Sequence, residues 1–356
     1  MSFWKTLREN KKPFFVLAPM ADVTDAAFRR LITKYGKPDV MWTEFVSANG
    51  LMSQGREALA RDLVYTEGER PIVAQLFSSD PEKMEGAAKL CAELGFDGVD
   101  INMGCPDRTI EKQGAGAAMI KNPDAARAVI AAAKRGIAAA GKNIPVSVKT
   151  RVGYSEVQTK EWIPMLLSCD IAALTVHVRT RKELSAVPAD WSRLREVVKL
   201  RDKLAPDAVI IGNGDVTSLA DGKKRAAESG ADGVMVGRAL FGNPWFFDEN
   251  RQIVATLPKR SIFHKVPILN KLFGTKRKAP VSVTNPITVE ERLRVLVEHT
   301  RLFEELLGDI KSFAIMKKHY KAYCTGFPSA KELRMELMDA KDSGEVQQVV
   351  ERFLKD

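Results

Sequence analysis

Over the first 240 residues, short apolar runs rich in β-branched and aromatic side chains alternate with longer stretches whose apolar positions recur every three or four residues. The short runs are FFVLAPM (14–20), VMWTEFV (40–46), IVAQLF (72–77), GVDINMG (98–104), VSVKTR (146–151), IAALTVHV (171–178), AVIIGNGD (208–215) and GVMVGRA (233–239). Strands this continuously apolar belong to a parallel sheet covered by helices. The intervening segments carry helix-start signals: Asp80 precedes Pro81 and Asn122 precedes Pro123, each an N-cap followed by proline at the first helical position. Eight such units in one stretch predict an α/β fold of the (β/α)8 TIM-barrel type rather than an open doubly wound sheet.

The pattern changes after residue 250. Residues 255–289 contain Pro258, Pro267, Pro280 and Pro286 and show little periodicity, which reads as a linker or insertion. Helical spacing then runs to the end, opened by Thr288 with Glu291 three residues on, a capping-box pattern. Breaks are expected near Gly308, Gly326-Phe327-Pro328 and Gly344. The expected domains are a barrel over 1–250, a basic insertion over 251–289 and a small helical domain over 290–356.

Charge sharpens this division. Residues 251–356 hold 20 basic and 13 acidic residues, so +7 of the chain's net +10 lies there, and residues 251–289 hold eight basic residues and no acidic one. A surface of that sign suits a polyanion such as nucleic acid, although lysines also serve simply to solvate a linker. With 45% hydrophobic and 28% charged residues, no apolar run of membrane-spanning length and no signal-peptide pattern at the start, the chain is expected to be a cytoplasmic globular protein. Cys91, Cys105, Cys169 and Cys324 show no CxxC spacing, so neither a disulfide framework nor a metal site is expected.

In a barrel, chemistry gathers at the C-terminal ends of the strands and the loops after them. Here those ends read Pro19-Met20, Glu44, Gln75, Asn102-Met103-Gly104-Cys105, Lys149-Thr150-Arg151, His177, Asn213-Gly214-Asp215 and Gly237-Arg238. The loops after strands seven and eight, with Gly214, Gly237 and Arg238, suit a phosphate. Lys149 at a barrel mouth needs an anionic partner or a depressed pKa; it could face an electron-rich ring or act as a Schiff-base nucleophile. Cys105 follows a strand end and precedes Pro106. A thiol there can donate a proton, or attack as thiolate. The glycine-rich QGAGAAM (113–119) after it is a candidate movable lid. The other three cysteines read as inert buried residues.

Seven segments in order, APMADVTDAAFR, NMGCP, SVKTR, TVHVRTR, GNGDV, GRALFGNPW and MKKHYKAYCTGFPSAKELR, resemble the tRNA-dihydrouridine synthase family over residues 14–340. The resemblance implies an oxidoreductase carrying flavin mononucleotide (FMN) that reduces uridine in tRNA, with NADPH as the reductant of the flavin and tRNA as the partner; the sequence leaves the oligomeric state open, with a monomer expected. By position it implies Pro19, Met20 and Ala21 against the flavin, Gln75, Lys149 and His177 on its ring, and Asn213, Gly214, Asp215, Gly237 and Arg238 around its ribityl chain and phosphate. Cys105 would be the general acid. Asn102 would face the substrate, Arg179 and Arg181 would meet RNA or phosphate, and Lys317, Lys318, His319, Lys321 and Arg334 would form the RNA-binding segment. Tyr320 and Tyr323, interleaved with them, could be core or stacking residues, and helical spacing favours core. Val178 stands where the family usually has glycine. Two other readings of the residues stay open: a phosphate-binding lyase or isomerase working through Lys149, and a non-catalytic tRNA-binding protein.

Overall fold

The computed structural model describes residues 2–10, 12–253 and 285–355. They fall into two compact units, Met1–Leu240 and Phe241–Asp356. In the first, eight strands form one parallel sheet: β1 (Phe14–Leu17), β2 (Met41–Ser47), β3 (Ile72–Phe77), β4 (Gly98–Met103), β5 (Val146–Arg151), β6 (Ala173–His177), β7 (Val209–Asn213) and β8 (Gly233–Val236). β1 pairs with β8 along its length. The cylinder closes between β1 and β2 through one parallel bridge, Val16 to Val40, with Leu17 N donating to Val40 O at 3.1 Å. The eight-stranded expectation is met. The apolar runs overshoot only at strand ends: β1 stops before Pro19, which has no N–H to give a ladder, and β8 stops before Gly237.

Alternate side chains of each strand point into the cylinder. Near the strands' N-terminal ends these are apolar, and Val16, Trp42, Val73, Ala173, Val209, Ile211 and Met235 share one buried cluster. Trp4, on the helix Phe3–Glu9, joins it with its ring 5.7 Å from that of Trp42 and 6.0 Å from that of Phe14. Farther along the same columns the inward positions turn polar. The strand register sets Gln75 beside Asp100, Asn102 beside Lys149, Lys149 beside Thr175, Arg151 beside His177 and His177 beside Asn213. A dry lower layer thus supports a polar mouth.

The predicted helix starts form as read. Asp80 accepts from the amides of Glu82 and Lys83 at the head of Pro81–Glu93, and Asn122 accepts from Ala125 N at 3.2 Å at the head of Pro123–Ala139. The loop after β1 is tied down by Arg29, which is fully buried: its Nε meets Glu69 Oε2 at 2.7 Å and its Nη1 donates to Thr24 O at 2.8 Å. Glu69 Oε1 in turn accepts from Thr66 N at 2.9 Å.

The second unit contains helices Val289–Leu307, Met316–Tyr323, Ala330–Asp339 and Ser343–Lys355 and a parallel strand pair, Arg251–Ile253 with Asn285–Ile287. Residues 241–250, with the buried Trp245, belong to it. Thr288 Oγ1 accepts from Glu291 N at 3.1 Å, but the Glu291 carboxylate takes both contacts from Arg251 Nη2, at 2.7 and 2.8 Å, rather than returning to the cap. The break expected near Gly344 falls at residues 340–342. Arg292 is buried and donates to the carbonyls of Tyr323 and Thr325, capping the end of the Met316–Tyr323 helix. Of the eight basic residues in the expected insertion, all but Arg251 lie outside the described residues. Among the described residues no helix is long and apolar enough to cross a membrane.

Glu69→Ala strands the buried Arg29 guanidinium and is expected to cost about 3–5 kcal/mol in urea unfolding. Glu290→Ala, which breaks the exposed pair with Arg294, is expected to cost less than about 1 kcal/mol. Equal effects would show that Arg29 does not depend on its carboxylate.

Candidate active site

A continuous chain of hydrogen bonds crosses the barrel mouth. Ser147 Oγ donates to Asp100 Oδ1 and Gln75 Nε2 to Asp100 Oδ2, both at 2.6 Å. Asn102 Nδ2 donates to Gln75 Oε1 at 3.0 Å, and Asn102 Oδ1 accepts from the amides of Gly104 at 3.1 Å and Cys105 at 2.9 Å. The backbone N–H of Gln75 donates to Thr43 Oγ1 at 3.1 Å, beside the irregularity in β2 between Trp42 and Phe45. Asp100, fully buried, is a residue that sequence reasoning passed over. Burial pushes its carboxyl up to about 6, opposed by the Ser147 and Gln75 bonds and by Lys149. Its signal was there: a carboxylate in the middle of an apolar parallel strand cannot stay unpartnered.

Cys105 is half-buried at the start of the loop after β4. Burial raises its thiol above the ordinary range, and the nearby charges of Lys149 and Arg151 pull the other way. The loop is locked from two sides. Ala117 N donates to Cys105 O at 2.9 Å, and Arg151 Nε donates to Gly104 O at 2.7 Å. Gly116 sits at φ +62°, where a Cβ would stand 2.8 Å from Cys105 O and 2.9 Å from Ile110 Cγ2. Five of the seven residues of the candidate lid are therefore packed in place, Gln113 and Gly114 being exposed. Ala115 and the turn Gly116–Ile120 are buried, because small residues there let the backbone pack tightly under the cysteine.

Basic groups crowd the wall formed by β5, β6 and the last loops. Loss of hydration lowers Lys149 to about 8, with Arg151 adding to the effect and Asp100 and Cys105 opposing it. Burial likewise lowers Arg151 to about 10. His177 is driven well below its usual value by burial and then by Arg151, Lys149, Arg179 and Arg238, so its ring is neutral. Arg179 is enclosed: its Nε donates to Val187 O at 2.7 Å, its Nη1 lies 3.2 Å from His177 Nε2, and its Nη2 pairs with Asp215. It braces the mouth from inside rather than facing solvent. Burial alone would raise Asp215, but the Ala189 amide and the Arg179 and Arg238 guanidinium groups hold it below the ordinary carboxylate range. Asn213 Nδ2 donates to Met235 O at 2.9 Å, and Gly214 O accepts from Trp191 Nε1 at 2.8 Å. Pro19 is buried, Met20 half-buried and Ala21 exposed in the loop after β1. A Cβ at Gly237 would come within 3.1 Å of Met20 Sδ, so the loops after β1 and β8 approach closely there.

Outside this wall, Arg181 forms a fork with Glu111, its Nε 2.9 and 3.0 Å from the two carboxylate oxygens. Arg181 and Lys121 both lie over the Tyr154 ring, at 5.5 and 4.4 Å from its centre. In the second unit Lys318 and Lys321 are exposed, and Lys317 and Arg334 half-buried. His319 differs from its neighbours: it is fully buried, stacked on Phe241 at 5.5 Å and edge-on to His299 at 4.6 Å. It shares the inward face of its helix with Met316, Tyr320 and Tyr323, all fully buried, so it packs the core and the surrounding lysines form the surface. Burial pushes the thiols of Cys91 and Cys324 up to about 12.

Residues 16–356 match the family model for dihydrouridine synthase (Dus). The chain is 37% identical over 355 residues to the probable tRNA-dihydrouridine synthase 2 of Bacillus subtilis (strain 168), covering 99% of this chain and 96% of that protein. It is 34% identical to the probable tRNA-dihydrouridine synthase of Staphylococcus aureus (strain MRSA252), covering 99% and 95%. With the corresponding Staphylococcus epidermidis (strain RP62A) protein the identity is 33%, over 99% and 96%.

Alkylation of Cys105 by iodoacetamide is expected to be slow at neutral pH and to keep rising beyond the pH at which a free cysteine saturates; Lys149→Met, which removes a charge favouring the thiolate, should slow it further at each pH. A rate that levels off near neutrality would contradict this. The second unit should be acid-sensitive. Burial lowers His299 to about 3 and His319 well below normal, so between about pH 6.5 and 3 the unfolded imidazoles bind protons that the folded ones refuse, and stability falls with pH. Urea unfolding at pH 7 and pH 5 should show that fall, and His299→Leu should lessen it; an equal loss in both proteins would place the sensitivity elsewhere.

Proposed function

The chain belongs to the dihydrouridine synthase family, and from that premise we propose that it is a flavin-dependent enzyme that reduces uridine in tRNA to 5,6-dihydrouridine, with Cys105 as the general acid. It would carry FMN, take its reducing equivalents from NADPH, and act as a cytoplasmic monomer. The observation that carries this reading is a thiol kept protonated at the rim of a mouth walled by Lys149, Arg151 and a neutral His177.

Two features fit the flavin. The mouth gathers Lys149, Arg151, Arg179 and Arg238 around one imidazole, with Asp100 and Asp215 as nearby carboxylates, and such a site favours an anion such as a phosphate or an electron-rich ring. Gly237, beside Met20, also leaves space that a side chain would fill. Gln75, Lys149 and His177 would hold the ring, Pro19, Met20 and Ala21 would lie against it, and Asn213, Gly214, Asp215, Gly237 and Arg238 would surround the ribityl phosphate. A reduced flavin held there would supply the hydride that uracil takes up at C6. Cys105 holds the proton that C5 then accepts, and the thiolate left behind is stabilised by Lys149 and Arg151 until it takes a proton from water. Lys149, at about 8, keeps most of its charge at neutral pH, which suits a cation facing an electron-rich ring better than a free amine attacking a carbonyl.

Reaching the mouth requires a base drawn out of its stack, and hence contacts spread over the RNA backbone. Arg181 with Lys121 on the barrel, and Lys317, Lys318, Lys321 and Arg334 on the helical unit, present the charge for them.

Dihydrouridine should disappear from at least one tRNA position in cells lacking this protein. Purified Cys105→Ala should remain yellow with bound flavin yet lose about 10²–10⁴-fold in turnover. An unchanged tRNA map would refute the substrate, and an undiminished Cys105→Ala rate would refute the acid.

A further inference from the structure

We propose that Asp100 is the positioning residue of the site, setting the direction of a hydrogen-bond relay that runs through Gln75 and Asn102 to the backbone of Cys105. Asp100 does not itself donate to or accept from Cys105. Its influence follows from hydrogen-bond polarity.

A primary amide can present either its oxygen or its nitrogen to a given neighbour, and only the partners decide which. A carboxylate is acceptor-only, so Gln75 must turn Nε2 toward Asp100, at 2.6 Å, and its Oε1 away. That oxygen meets the next inward residue of β4, Asn102, which must then offer Nδ2, at 3.0 Å. Asn102 Oδ1 is left facing the loop, where the amides of Gly104 and Cys105 both need an acceptor and find it at 3.1 and 2.9 Å. Reversing Asn102 would set its NH2 group against those two N–H groups, and reversing Gln75 would set its NH2 against that of Asn102 and its oxygen against the carboxylate. Ser147 Oγ, donating to the second carboxylate oxygen at 2.6 Å, keeps Asp100 from rotating. Asp100 and Gln75 are fully buried, Ser147 is 2% exposed and Asn102 6%, so bulk water is largely shut out as a substitute partner. The strand register sets Gln75, Asp100 and Ser147 side by side on β3, β4 and β5.

The role assigned to Asp100 rests on the reading of Cys105 as the proton donor, but the test does not. In Asp100→Ala, hydrogen exchange at the amides of Gly104 and Cys105 should accelerate about tenfold or more, as expected for a lost hydrogen bond of ordinary strength, while the amides of β7 and β8 keep their protection. Dihydrouridine turnover should fall with KM for tRNA unchanged. Asp100→Ser, which leaves room for a water beside Ser147, replaces that variant should it fail to fold. The double variant Asp100→Asn/Gln75→Glu moves the charge one residue along and preserves each bond of the relay: Ser147 donates to the new amide oxygen, the new NH2 donates to the carboxylate at 75, and so does Asn102 Nδ2. It should retain wild-type exchange at Gly104 and Cys105. Unchanged exchange in Asp100→Ala or its serine counterpart, or equal acceleration in the charge-shifted double variant, would overturn the relay. A wild-type protein that makes no dihydrouridine would count against the reading of the site, leaving the exchange pattern to judge Asp100.

Discussion

Positive charge held out of water against positive charge is the constraint on which this architecture depends. Lys149, Arg151 and Arg179 act on His177 from within the mouth, Arg238 acts on it from an exposed position, and Lys149 and Arg151 are lowered mainly by burial. Side chains free to move would spread apart and hydrate. The inner groups cannot, because Lys149, Arg151 and His177 extend from β5 and β6, whose parallel register seats Arg151 directly beside His177, and because Arg179 is clasped by Val187 O and Asp215. The frame in turn needs a rigid base. Trp4, Trp42 and the aliphatic layer around them provide one, excluding water from the lower barrel so that the polar mouth has a firm floor.

Much of this was legible in the sequence. Strands covered on both faces must be apolar almost throughout, so all eight stood out, and the Asp80 and Asn122 caps declared themselves by the prolines that follow. The strand-end residues were also legible, since a polar residue closing an apolar run has few structural excuses. Asp100 was harder: it lies inside the run, and only the pairing of β3, β4 and β5 reveals that it meets Gln75 and Ser147. The Gly-Ala stretch after Cys105 read as mobile because small residues have freedom when exposed; buried, the same residues permit close packing. His319 sat among lysines in sequence, yet it shares helical spacing with Met316, Tyr320 and Tyr323, and that periodicity, rather than its neighbours' charge, decided its place.

The Met316–Tyr323 helix shows how exposed lysines can be carried on a largely uncharged interior. That interior is aromatic and aliphatic, with two imidazoles kept neutral, and Arg292 spends its donors on the carbonyls at the end of the Met316–Tyr323 helix. The exposed lysines of that helix are thereby presented from a fixed backbone.

The tight fit of Gly116 under Cys105 bears on how such a chain can diversify. Any side chain at that position would collide with the carbonyl of the cysteine and shift its sulfur, so drift there is closed off whatever the partner. Variation has more room at the outer rim, around Tyr154, Lys121 and Arg181, where replacements leave the cysteine loop undisturbed. The inner loop is inherited as a fixed part, and the periphery is where descendants can differ.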